Sequence, residues 1–214
     1  ININFEKLFK LMVEYKAEID LSDEGKIKML DAYAGVLPTQ GMNLRIGQMR
    51  VPFSIDAHRS PHKQHFANRS FIAKQVGNVR DVGFYAGYSI PKTNLKLEGG
   101  VFNGSGLTNQ KDYWTKNLNF SAKAQYTLPL GFTLQASVQK VSPNGRHIYL
   151  YDGGITFQRQ RWTVECEYLH KHYTNTNFKD VNALNALICY DQPLRRVFRK
   201  MSFLCRYDRM DDHS

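Results

Sequence analysis

The chain has 214 residues, 29 Lys and Arg against 19 Asp and Glu, and a formal net charge of +10. It has no run of about 18 apolar residues, which excludes a transmembrane helix. Its negative mean hydropathy does not exclude a transmembrane barrel, because barrel strands are half polar.

The first element is "FKLMVEYKAEIDL" (9–21), where Phe9, Leu11, Val13, Tyr15, Ala17, Ile19 and Leu21 alternate with Lys10, Glu14, Lys16, Glu18 and Asp20, and only Met12 departs from the pattern. Period two marks a strand whose faces meet different solvents. The alternation then recurs. Its apolar positions are Leu30, Ala32, Ala34 and Val36, then Leu44 and Ile46, then Val82 to Ile90, then Leu95 to Val101. They continue with Leu118 to Tyr126, Phe132 to Val138, Tyr149 to Phe157, Trp162 to Tyr168, Leu184 to Tyr190 and Met201 to Tyr207, each taken at every second residue. Eleven strands are expected, with no credible helix between them, so this is not a βαβ protein.

The connections also alternate. Short turns at 91–93, 128–131, 159–161 and 192–196 are interleaved with longer joins at 52–80, 103–117, 141–146 and 169–182. Aromatics on the apolar face cluster beside the short turns (Tyr88, Tyr126, Phe132, Phe157, Trp162, Tyr190) and near the long joins (Phe120, Tyr149, Tyr151, Tyr168, Tyr207). Two aromatic girdles flanking an apolar band suit the two lipid–water interfaces. The expected fold is therefore all-β, an antiparallel transmembrane β-barrel. The competing reading is a soluble β-sheet with ordinary core aromatics, for example a sandwich that binds anionic glycans. Eleven is an odd count, and barrels of this kind have even numbers of strands, so residues 1–214 are expected to be part of a larger barrel. The chain opens at Ile1 without Met or a signal-peptide pattern, which points to a cytosolic protein or to a processed or partial chain.

Four stretches go beyond periodicity: "GQMRVPFS" (47–54), "RDVG" (80–83), "GVFNG" (100–104) and "RYD" (206–208). In this order and spacing the chain resembles the phosphate-selective porin O and P family of bacterial outer membranes, of the Bacteroidota variety, from about residue 9 to 210. The resemblance implies a barrel of about sixteen strands, usually trimeric, that passes solutes generally or prefers anions. It does not imply phosphate, and no phosphate-binding set of arginines is carried over.

The long join 52–80 is the expected constriction loop. The stretch 45–80 holds Arg45, Arg50, Arg59, Lys63, Arg69, Lys74 and Arg80 against the single acid Asp56. A basic constriction in a low-dielectric wall concentrates anions, and Arg suits phosphate-like and carboxylate solutes through paired hydrogen bonds. These residues, with Lys96 and Lys123 on the wall, are the candidate selectivity residues. The other reading of the loop is a solvated extracellular flap, or a surface paired with lipopolysaccharide. Inward wall positions carry six bases (Lys10, Lys16, Arg45, Lys96, Lys123, Arg206) against ten acids (Glu14, Glu18, Asp20, Asp31, Asp81, Glu98, Asp152, Glu165, Glu167, Asp208). A basic loop facing such a wall sets up a transverse field.

Other signals are weaker. His58, His62 and His65 have ligand-like spacing, but only Asp56 lies nearby to complete a set. His170 and His172 share a strand face and read as a surface pair. Glu165 and Glu167 share a face without a nucleophile or oxyanion hole, so they read as charged wall. Cys166, Cys189 and Cys205 are too scattered for a disulfide framework and read as free, buried thiols. "RRVFRK" (195–200) reads as the flank of a periplasmic turn, not a nucleic-acid site. No cofactor, metal or enzymatic motif is expected. The function expected is passive diffusion of small, mainly anionic solutes. The alternative is a plugged or structural outer-membrane barrel in a secretion or surface assembly.

Overall fold

A computed structural model describes residues 12–23, 26–60, 63–75, 80–104, 116–143, 146–174, 177–194 and 200–212. The strands are β1 (Met12–Asp23), β2 (Lys26–Leu37), β3 (Met42–Arg50), β4 (Arg80–Ser89), β5 (Leu95–Phe102), β6 (Asn119–Thr127), β7 (Phe132–Val141), β8 (His147–Arg159), β9 (Trp162–Thr174), β10 (Val181–Pro193) and β11 (Lys200–Met210). They form one antiparallel sheet in sequence order, each strand pairing with its chain neighbours. Because neighbours in the chain are neighbours in the sheet, the order needs no crossover.

The two faces of this sheet are inverted relative to a soluble protein. Ile46, Phe84, Leu97, Phe120, Val138, Tyr151, Tyr168, Ile188 and Phe203 are exposed, whereas Asp31, Asp81, Glu98, Lys123, Asp152, Glu165, Glu167 and Lys171 are buried. Water disfavours an apolar outer face of this extent, and lipid accepts it. Among the described residues no helix is long and apolar enough to cross a membrane.

Several expectations need correction. Leu30 is not a regular member of the outward file: the β1–β2 register slips between Glu18 and Ile19, and Ile19 pairs with Met29, which takes the outward place. The join 169–182 is mostly strand, because β9 runs to Thr174 and β10 starts at Val181. A short helix, α1 (Phe71–Gln75), interrupts the long loop. The Ser70 hydroxyl caps it by accepting from the Ala73 amide at 3.2 Å. Cys189 is buried, but Cys166 and Cys205 are exposed free thiols. Their strand parity turns them outward with Tyr168 and Phe203, so lipid rather than a protein core covers them. Phe9, Lys10 and Leu11 lie outside the described residues.

Candidate constriction site

The segment after β3 does not extend away from the sheet. It folds back onto the charged face, and the "VPFS" motif makes the first contacts. Pro52 O accepts from Ser121 Oγ on β6 at 2.7 Å. Ser54 is fully buried and uses every polar atom. Its amide donates to Ser137 Oγ on β7 at 3.0 Å, its hydroxyl to Glu167 Oε1 on β9 at 2.5 Å, and its carbonyl accepts from Lys123 Nζ at 3.0 Å. The Ile55 amide adds a second bond to Glu167 Oε1 at 2.6 Å. Ser54 sits at φ 63°, a left-handed conformation that costs a non-glycine residue about 1 kcal/mol. The wall hydrogen bonds offset that cost.

Further along, Arg59 Nη2 lies 2.6 Å from both oxygens of Glu165 on β9. Asp56 accepts from the Ser70 amide and hydroxyl at 2.9 and 2.8 Å, folding the loop on itself. The "RYD" motif holds its far end. Arg206 donates to Asn68 O at 2.6 Å and lies over the Phe66 ring, and Asp208 accepts from the Phe71 amide at 3.4 Å. One short segment thus meets β6, β7, β9 and β11. The sheet therefore wraps around it.

Apolar burial drives the same docking. Val51, Phe53 and Ile72 join Leu150, Leu169 and Ala183 in one buried cluster on the inner face. Each such side chain contributes roughly 1.5–3 kcal/mol on burial. The glycines of the motifs serve the surrounding frame. Gly47 has φ +130°, and a Cβ there would stand 2.3 Å from Ala32 O. A Cβ on Gly104 would stand 2.1 Å from Asp81 Oδ1, so "RDVG" and "GVFNG" meet at this point.

The expected selectivity residues fall into three groups. Arg50 and Arg69 donate to backbone: Arg50 Nη1 to Arg59 O at 2.6 Å, and Arg69 to Asp56 O at 2.6 Å and Arg59 O at 3.1 Å. Arg59, Arg80, Arg45 and Lys96 face acids. Arg80 Nε is 2.7 Å from Asp31, Arg45 Nη2 is 3.0 Å from Glu14, and Lys96 Nζ is 2.9 Å from Glu98. Arg45 also lies between the Tyr33 and Tyr85 rings, at 4.7 and 5.4 Å. Lys63 and Lys74 are exposed, whereas Lys123 is buried beneath Ser54. A cavity of about 180 Å³ lies between the loop and the first strands, with Lys16, Arg45, Arg50, Asp31 and Glu98 on its walls.

His58 does not join His65. His58 Nδ1 faces Lys123 Nζ at 3.5 Å, and His65 Nε2 faces Glu165 at 3.9 Å. His62 lies outside the described residues. Burial and then the Lys123 charge push the His58 pKa down to about 3, so it is neutral in the docked loop. Glu165 and Glu167 are both occupied as anchors for the loop. Sequence reasoning did not single out Ser54, Ser137, Phe53 or Ile72 for this role. The one available signal was that Phe53 and Ser54 stand inside a family motif.

A family model described as "Phosphate-selective porin O and P" matches residues 1–180. No curated protein matches the chain. Among solved structures, a loop L8 deletion mutant of OmpT, an outer membrane protein of Vibrio cholerae, is similar at 14% identity and a TM-score of 0.45. The match covers 94% of this chain and 81% of that one.

Proposed function

The chain belongs to the phosphate-selective porin O and P family, and from that premise we propose that it is a diffusion pore preferring small anions, narrowed by the segment 52–80. It is a porin of the bacterial outer membrane, a β-barrel whose apolar face meets lipid and whose charged face meets water. Solutes cross such a channel passively, down their gradients.

The docking of a basic segment on the inner wall carries the anion reading. Arg59 and Arg80 are compensated by Glu165 and Asp31, but Arg50 and Arg69 hydrogen-bond neutral carbonyls. Their charge is retained in a confined, low-dielectric space, where it attracts anions. Exposed Lys63 and Lys74 add to it. Phosphate-like and carboxylate solutes fit these donors. The acidic wall opposite makes the field transverse, which orients dipolar solutes. A homotrimer with lipopolysaccharide around its outer girdle completes the reading, on family likeness.

The test is single-channel recording in a planar bilayer under a salt gradient. An anion-preferring reversal potential that moves toward zero in the triple variant R50Q/K63Q/K74Q supports the proposal. A cation-preferring potential, or one unmoved by the triple variant, overturns the anion preference. Folded protein without conductance points to the plugged, structural barrel instead.

A further inference from the structure

The geometry points to a divalent transition-metal site on the outer rim, formed by His170, His172 and Asp180, away from the pore. The two imidazoles stand two residues apart on β9, so they share the outward face with Tyr168. The β9–β10 hairpin returns Asp180 beside them, with His170 paired to Asn182 in register. One ligand atom from each of the three residues lies within 4.8 Å of the others. His172 Nδ1 is 2.8 Å from Asp180 Oδ2, and His170 Nε2 is 3.8 Å from the same oxygen. Metal–ligand bonds of about 2.1 Å in a tetrahedral set place donors roughly 3.4 Å apart. The two distances straddle that value, so small side-chain rotations close the site.

The surroundings select the tautomer. Asn182 Nδ2 donates to Asp211 Oδ2 at 3.0 Å, which fixes the amide with Oδ1 as the acceptor. That Oδ1 receives the Tyr168 hydroxyl at 2.7 Å and faces His170 Nδ1 at 2.9 Å. The neutral His170 ring therefore carries its proton on Nδ1, which leaves Nε2, 3.8 Å from Asp180 Oδ2, as its ligand nitrogen. A basic nitrogen and a carboxylate oxygen so placed can share a cation, a metal ion as well as a proton. An amide oxygen holding the far nitrogen of a ligating histidine is the outer-shell support that metal sites use.

Two nitrogens and one oxygen suit Zn²⁺, Cu²⁺ or Ni²⁺ and disfavour Mg²⁺ and Ca²⁺. The three ligands leave a coordination position open. Across the sheet, His170 is level with Tyr151 and His172 with Tyr149, so the site lies in the aromatic girdle, at headgroup depth. A bound ion cross-links the end of β9 to the start of β10.

The test uses the folded protein in detergent, stripped with chelator and titrated with Zn²⁺ alone by calorimetry, then with Cu²⁺ for EPR. One ion per chain is expected, with nitrogen hyperfine structure from two imidazoles. H172A and D180N should each weaken binding by at least ~100-fold, and N182A by ~10–100-fold. H147A should leave binding unchanged. No uptake by folded protein up to about 1 mM ion, far above the range of structural sites, overturns the site. So does the same stoichiometry and affinity in H172A. Unchanged affinity in N182A overturns the assignment of His170 Nε2 as a ligand.

Discussion

Arg59 and Glu165 show what a charge does on the inner wall. Both side chains are nearly enclosed, at 14% and 7% exposure. Removing one partner leaves the other buried with only a distant counter-charge, Asp56 at 3.8 Å for Arg59 or His65 at 3.9 Å for Glu165, a loss of up to about 3–5 kcal/mol, whereas replacing both with apolar groups is far milder. R59Q should therefore undock the loop, and R59L/E165L should keep it docked. Protease cleavage of the loop in the folded barrel measures this: rapid in the first variant, slow in the second. Ser54 is the companion case. S54A removes the bond to Glu167 while the left-handed backbone remains, so it should loosen the loop by about 1–3 kcal/mol. Charge counting along 45–80 found Arg59 but gave no sign of its partner 106 residues away. Ser54 was invisible to it, because a buried serine differs from a turn serine only in what it touches.

At the level of the loop, docking is an equilibrium with a pH dependence. His58 faces Lys123 on β6, with Glu98 and Lys96 on β5 and Arg50 at the end of β3 also acting on it. Its pKa in the docked loop, about 3, lies below the ordinary histidine value of about 6.5, so the undocked loop binds the proton better. Its contribution to docking is complete above the upper value and is lost as pH falls toward the lower one. Loop cleavage should rise on going from about pH 7 to about pH 4.5, and H58N should flatten that rise. The apolar anchors act alongside. F53A and I72A should each cost the docked state about 2–5 kcal/mol and raise open-channel conductance. The sequence made the loop's length and charge legible, and both suggested a functional segment. Its adhesion through Val51, Phe53 and Ile72 was not legible, because three apolar residues in a polar loop carry no periodicity.

For the whole molecule, the outward files were readable almost residue by residue. Lipid imposes period two on every strand, and the lumen imposes polarity on the alternate positions. The reading slipped at Leu30, where a one-residue bulge reverses parity, and at Cys166 and Cys205, where an apolar environment was equated with a protein core. Phe84 sits mid-strand on β4 and is 47% exposed in the isolated chain. F84R should therefore destabilise the barrel in bilayers by about 2–4 kcal/mol. Urea titration in lipid vesicles would measure it.

The anchors of the loop also set an order of events. Neighbouring strands can zip together through local hairpins, each closing a short chain segment. Ser54 waits for Glu167, 113 residues later, and Asn68 waits for Arg206, 138 residues later. Contacts so distant in sequence form late, because the chain between them must be ordered first. The wall should therefore be largely built before the segment is fully seated on it, and the contact with β11 should be the last to form.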